Sequence, residues 1–202
     1  MSFFPPDPPI PEHDDDVESP QPRWWQAPEN ELPVLVATPE ILAATDHVAV
    51  GVSGIAVYSD GIELRIERRL RRNGVAMQEW NQLTGAFMEH MVYGSADPTA
   101  RLRVGVVLAD GTTVTDASAF FGARDPMAQP DGYVLSRREQ GGGGGTHAYS
   151  SADHLWLWPL PPDGEIEIVM QWPAFGIGET RVVVDAGAVS ELSARARPFW
   201  AD

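Results

Sequence analysis

The sequence predicts an all-β antiparallel fold, most simply a β-sandwich with a barrel as the alternative, carrying a C-terminal helix and at most one short internal helix. Three observations predict it. Apolar residues alternate with polar or small ones at period two in repeated runs, the runs end in turn dipeptides, and no regular series of helices separates them.

The first run is Val48, Val50 and Val52, after which Gly54 interrupts and Ile55 and Val57 resume in shifted phase. A glycine at a phase change predicts a bulge. Ile62, Leu64 and Ile66 alternate with Glu63, Arg65 and Glu67 as a half-buried strand, and Asp60-Gly61 joins the two runs as a tight hairpin. Leu102, Val104, Val106 and Leu108 lead to Asp110-Gly111 and on to Thr113 and Val114, a second hairpin. Leu155 to Trp158 leads through Pro159-Leu160-Pro161-Pro162-Asp163-Gly164 into Ile166, Ile168, Met170 and Trp172, which reads as a third. Val182 to Val184 adds one more buried strand.

Two stretches follow a helical period instead. Met77, Trp80, Leu83, Phe87 and Met91 are spaced for a helix over 77–91, although Asn73-Gly74 also suits a hairpin with a strand after it. Asp185 is placed to cap a helix carrying Val189, Leu192 and Ala196 that Pro198 stops. Gly141 to Gly145 reads as a flexible surface loop, since ordering five glycines in a row is entropically unfavourable.

The chain has 202 residues with a net charge of −15, no cysteine, and arginine for all 14 of its basic residues. Chemistry that needs a thiol, a Cys-ligated metal, a Schiff-base lysine or a phosphate-loop lysine is therefore excluded. Residues 1–31 hold eight acids against Arg23 alone, and nine of the 18 prolines fall within the first 33 positions. That composition buries too little to offset ordering, so residues 1–31 are expected to form a disordered acidic arm, and 32–202 one β-rich domain. The start lacks a basic n-region and no apolar run approaches the roughly 18 residues of a membrane span, so a cytoplasmic protein is expected. The negative charge argues against nucleic acid and anionic membranes as partners.

No motif names a reaction. Ser53 in Gly51-Val52-Ser53-Gly54 misses the GxSxG spacing by one residue, and the glycine run matches no nucleotide-binding fingerprint. His147, Asp153 and His154 are the one short stretch that gathers metal-ligand types, and they are the candidate metal or hydrolytic site. Arg65, Arg69 and Arg71 share a strand face with Glu63 and Glu67, which predicts either a solvated face of Glu–Arg pairs or a basic strip that the arm, through Asp14, Asp15 and Asp16, masks from a partner. Trp156 and Trp158 share a face opposite Leu155 and Leu157, the pattern of a strand buried on both sides. Trp24 and Trp25 sit at the edge of the polar arm, where an aromatic pair anchors it to the body or to another protein.

The segment Trp158-Pro159-Leu160-Pro161-Pro162-Asp163-Gly164, followed by Trp172-Pro173, Gly176-Ile177 and Glu179-Thr180-Arg181, resembles a group of uncharacterised actinobacterial proteins of similar size. The glycine run and the Leu102 to Gly111 strand are similar to that group as well. The resemblance covers about a third of the chain and implies a cytosolic source in a GC-rich bacterium. It brings no activity and no functional residues. The expectation is a non-catalytic module without cofactor that binds a protein partner or a second copy of itself, with Trp24, Trp25, Arg65, Arg69 and Arg71 contributing. The alternatives are a small-molecule or carbohydrate-binding sandwich and a hydrolase or metal-dependent enzyme with a noncontiguous site.

Overall fold

Alternation along the chain becomes two-sided strands in space. The computed structural model describes residues 21–88, 100–116 and 128–200. Its strands are β1 (Glu31–Leu32), β2 (Val34–Ala44), β3 (Val48–Val57), β4 (Ile62–Arg71), β5 (Arg103–Val107), β6 (Thr113–Thr115), β7 (Val134–Gly144), β8 (Ala148–Trp158), β9 (Glu165–Trp172), β10 (Ile177–Asp185) and β11 (Arg197–Pro198). Helix α1 (Met77–Phe87) follows β4 and helix α2 (Val189–Ser193) follows β10. One sheet runs β2-β3-β4-β8-β7, the other β10-β9-β5-β6, and β1 pairs with β11. Among the described residues the sheets stay separate and no barrel closes. No described helix is long and apolar enough to cross a membrane.

Val48, Val50 and Val52 of β3 and Ile62, Leu64 and Ile66 of β4 share a core with Val104 and Val106 of β5 and Ile166, Ile168 and Met170 of β9. Each such side chain, fully buried, stabilises the fold by roughly 1.5–3 kcal/mol. The expected bulge is present, because the β3–β4 register shifts between Val52 and Gly54. Trp80 and Phe87, seven residues apart on one face of α1, add to the same core. Helix therefore prevails over strand for 77–87, while 89–91 lie outside the described residues. Asn73 and Gly74 both adopt positive φ, 46° and 84°, and turn the chain from β4 into α1 instead of into a paired strand.

Two of the predicted connections differ. Trp158 to Ile166 is no hairpin, because β8 pairs with β4 and β7 whereas β9 pairs with β5 and β10. The proline-rich link crosses from one sheet to the other. At the C-terminal end, Asp185 Oδ1 accepts from the Gly187 amide (2.8 Å) in a local turn, and Asp163 accepts from the Ser190 amide and hydroxyl at 2.8 and 2.7 Å. The α2 helix is consequently five residues long, and Arg197 continues into β11 before Pro198 ends the run. Val183 in β10 is 52% exposed while Val184 is buried, so this strand is buried on one face only.

Glycine explains two further features. Gly61 does not adopt the positive φ expected of its turn; a Cβ there would lie 2.5 Å from the Trp156 ring and 2.7 Å from the Leu157 carbonyl oxygen, so the residue makes room for the neighbouring strand. The expected glycine loop is instead the last part of β7, where Gly142 to Gly144 pair with Ser151 to Tyr149 after a bulge at Gly141 (φ 106°). Ladder hydrogen bonds and the close approach of β8 outweigh the entropy that predicts a loop. A Cβ on Gly142 would meet the Ser150 carbonyl oxygen at 2.7 Å, whereas one on Gly143 would meet nothing within 4 Å. We expect Gly142→Ala to destabilise the protein by about 1–3 kcal/mol in urea unfolding and Gly143→Ala to leave it unchanged or slightly more stable.

Candidate functional site

Strand β8 carries the two groups of polar residues that qualify as sites, one on each of its faces. On the core side Arg68, in phase with Ile66 and Leu70, is 1% exposed. Its guanidinium lies 2.8 Å (Nε) from Asp153 Oδ2, an ionic contact without good hydrogen-bond alignment, and donates from Nη2 to Asp153 Oδ1 (3.2 Å) and Ser151 Oγ (3.0 Å). Nη1 donates to the Phe87 carbonyl at the end of α1 (3.1 Å). Arg137 Nη2 approaches Asp153 Oδ2 at 3.3 Å, and the Ser151 hydroxyl donates to Glu139 (2.7 Å). The Phe87 and Trp172 rings cover Arg68, their centroids 5.1 and 5.6 Å from its Cζ. Arg68 and Asp153 thus pair inside the sandwich, with Arg137 and the more exposed Glu139 completing the charge balance at its edge, an arrangement that ties β4, β7, β8 and α1 together.

The opposite face of the same sheet is partly covered by residues 22–31. Trp156 Nε1 donates to the Arg23 carbonyl (2.8 Å), Ser136 Oγ donates to the Trp24 carbonyl (3.0 Å), and the Trp24 and Trp158 rings meet at 5.9 Å. The Glu31 carboxylate accepts from the Ser59 amide (2.8 Å), and Arg23 lies 3.6 Å from Asp60. Residues 22–31, expected to belong to the disordered arm, are therefore a strap on the sheet, and only 1–20 of that arm lie outside the described residues. Burial raises the Asp60 carboxyl above its usual range, with Arg23 opposing the shift.

Beside the strap a cleft of about 330 Å³ is lined by Trp25, Tyr58, Glu63, Arg65, His154 and Phe199 among others. Glu63 is 7% exposed, holds His154 Nδ1 at 3.0 Å and accepts from Arg65 Nε at 3.4 Å. Burial, then the Glu63 charge, pushes the Tyr58 phenol up to about 12. A carboxylate that orients an imidazole is the supporting half of a general-base system. The serine in the lining, Ser136, has its hydroxyl donated to the strap, and Tyr58 stays protonated at neutral pH, so neither is set up as a nucleophile.

The candidates from sequence divide along these faces. Asp153 points into the core and His154 to the outer face because neighbours on a strand point oppositely, and His147 sits in the β7–β8 turn. The three expected metal ligands therefore do not converge, and no group of three His, Asp or Glu suited to a metal occurs among the described residues. Arg65, Arg69 and Arg71 do share the outer face, with Arg69 paired to Glu67 at 2.9 Å and Arg65 to Glu63 at 3.4 Å, so these Glu–Arg pairs run along β4. Trp24 anchors the strap through its carbonyl and ring, and Trp25 lines the cleft beside it. Sequence reasoning missed Arg68, whose period-two phase with Ile62, Leu64 and Ile66 was the available signal, and Phe199 and Trp200, which carry no pattern at all. No family model, curated protein or solved structure matches the chain.

Two outcomes follow from the two faces. Asp153→Leu should cost about 3–5 kcal/mol in urea unfolding, because it strips Arg68 of its main counter-ion, and adding Arg68→Met should recover part of that loss. The raised Tyr58 value means the folded state holds its proton longer than the unfolded chain. Its contribution to stability is complete below pH 10 and is lost as pH rises towards about 12. A Tyr58→Phe variant should show a shallower alkaline decline of the melting temperature across that window.

Proposed function

We propose that this protein is a non-catalytic protein-interaction module whose contact face lies where β1, β11 and the start of β2 meet beside the strap. Four large apolar side chains support the reading: Leu32, Leu35, Phe199 and Trp200 are 53, 62, 56 and 71% exposed. Leu32, Phe199 and Trp200 share one region, since Leu32 pairs with Arg197, the Phe199 amide donates to the Asn30 carbonyl (3.3 Å), and the Phe199 and Trp200 rings lie 5.9 Å apart; Leu35 follows three residues after Leu32, at the start of β2. Scattered exposed apolar residues are ordinary, but adjoining exposed aromatics whose backbone is held by hydrogen bonds suit an anchor for a protein partner. The strap contributes by carrying Asn30 and by setting Trp25 beside Phe199 in the cleft.

A small-molecule or carbohydrate module is the second reading, carried by the 330 Å³ cleft with Trp25 in its wall. Its volume is at the low end for ligand pockets, and its lining is charged where such pockets are largely apolar, so the protein partner is preferred.

The test uses the full chain and Phe199→Ser/Trp200→Ser as baits against source-cell lysate, alongside sedimentation velocity over a concentration range. The reading expects a protein, or a second copy of the chain, that the wild type holds and the variant loses while the melting temperature stays unchanged. Identical behaviour of the two baits in both measurements would falsify it.

A further inference from the structure

A second surface, away from the strap, is built for a different occupant. At the end of the five-stranded sheet where β2 turns into β3 and β7 into β8, a groove of about 580 Å³ lies between His47, Arg69 and Arg71. Its floor is made of small residues, Ala49, Gly143 and Ser150 among them, and no carboxylate lines it. The Arg71 guanidinium makes its hydrogen bond to a backbone carbonyl, that of Asp46 (2.7 Å), and has no carboxylate within ion-pair distance among the described residues. Arg69 shares its charge with Glu67 at 2.9 Å but stays 57% exposed. A positive wall over a floor without bulky side chains suits an extended, acidic stretch of polypeptide.

The chain contains one such stretch. Glu12, Asp14, Asp15, Asp16 and Glu18 put five acids into seven residues. The tether also has the right length. The Arg23 carbonyl is held by Trp156, which pairs with Glu63, and the groove lies at Ser150, which pairs with Arg69. Six residues of β8 separate the two levels, about 20 Å at ~3.4 Å per residue. Seven residues lead from Arg23 back to Asp16, about 22 Å as a polyproline-type chain at ~3.1 Å each.

We infer that the groove between Arg69 and Arg71 is an acidic-peptide site, and that the protein's own Asp14–Asp16 segment occupies it. A short tether gives the arm an effective concentration on the order of millimolar, so any other acidic peptide must compete with it. This inference does not depend on the partner of Phe199 and Trp200, because the two surfaces share no residue.

The absence of cysteine makes a direct test available. A spin label on Val17→Cys in the full chain keeps all five acids and is attached at a single place. At low salt the amide signals of Gly143, Gly144 and Ser150 should be lost by paramagnetic broadening, independently of protein concentration. They should return when Arg69→Gln and Arg71→Gln are added, or at high salt. Signals that survive at low salt in the labelled wild-type background would overturn the proposal, and so would a loss that vanishes on dilution, which would place a second copy's arm in the groove. Thermal unfolding of the Arg69→Gln/Arg71→Gln protein, whose two changes lie on an exposed strand face, checks that the fold persists.

Discussion

A guanidinium removed from water is the constraint around which the sandwich is arranged. Arg68 cannot remain charged among Phe87, Trp172 and the aliphatic core unless its donors find acceptors, and those acceptors come from two elements far apart in sequence, α1 and β8. Asp153 and Ser151 require β8 beside β4, and the Phe87 carbonyl requires α1 to end where it does. Arg137 then approaches Asp153 from β7, so four elements are placed by one local demand for charge balance. Such a pair adds little net stability over an apolar replacement, but any arrangement that leaves one member alone is heavily disfavoured.

The two faces of the five-stranded sheet divide the labour that follows. The inner face holds the charges that fix the packing. The outer face, which the strap covers only in part, carries both surfaces proposed for recognition. Aromatic rings stand at one end, small residues and arginines at the other. The two proposals thereby keep recognition by apolar area apart from recognition by charge on one scaffold, and salt would weaken the second far more than the first.

Much of the fold was legible in the sequence, and the reasons for the rest are physical. Alternation gave β3, β4, β5 and β9, and the Val52–Gly54 phase change gave a bulge, because period two is a local property of the backbone. Partner choice is not local. Nothing within Trp158 to Gly164 distinguishes a hairpin from a crossover, since both need the same turn residues, and the answer depends on which sheet accepts β9. The glycine run misled for a related reason: a strand without side chains is legible only through the neighbour that requires their absence. At the site, the arginine strip was legible from its alternation with Glu63 and Glu67. His147, Asp153 and His154 were close in sequence but split by the same alternation, which the spacing already implied.

Strand β8 raises a question of alignment during folding. Leu155, Trp156, Leu157 and Trp158 are apolar on both faces, so hydrophobicity alone would accept the strand shifted by one residue and turned over. In that shifted pairing Asp153 would face outward and His154 would meet Arg68, two cationic groups or a cation and a neutral ring where a salt bridge belongs. The buried pair therefore works as a proofreader: it adds little to the correct alignment but makes the wrong one untenable, and the chain can place four consecutive large apolar residues in a central strand without ambiguity.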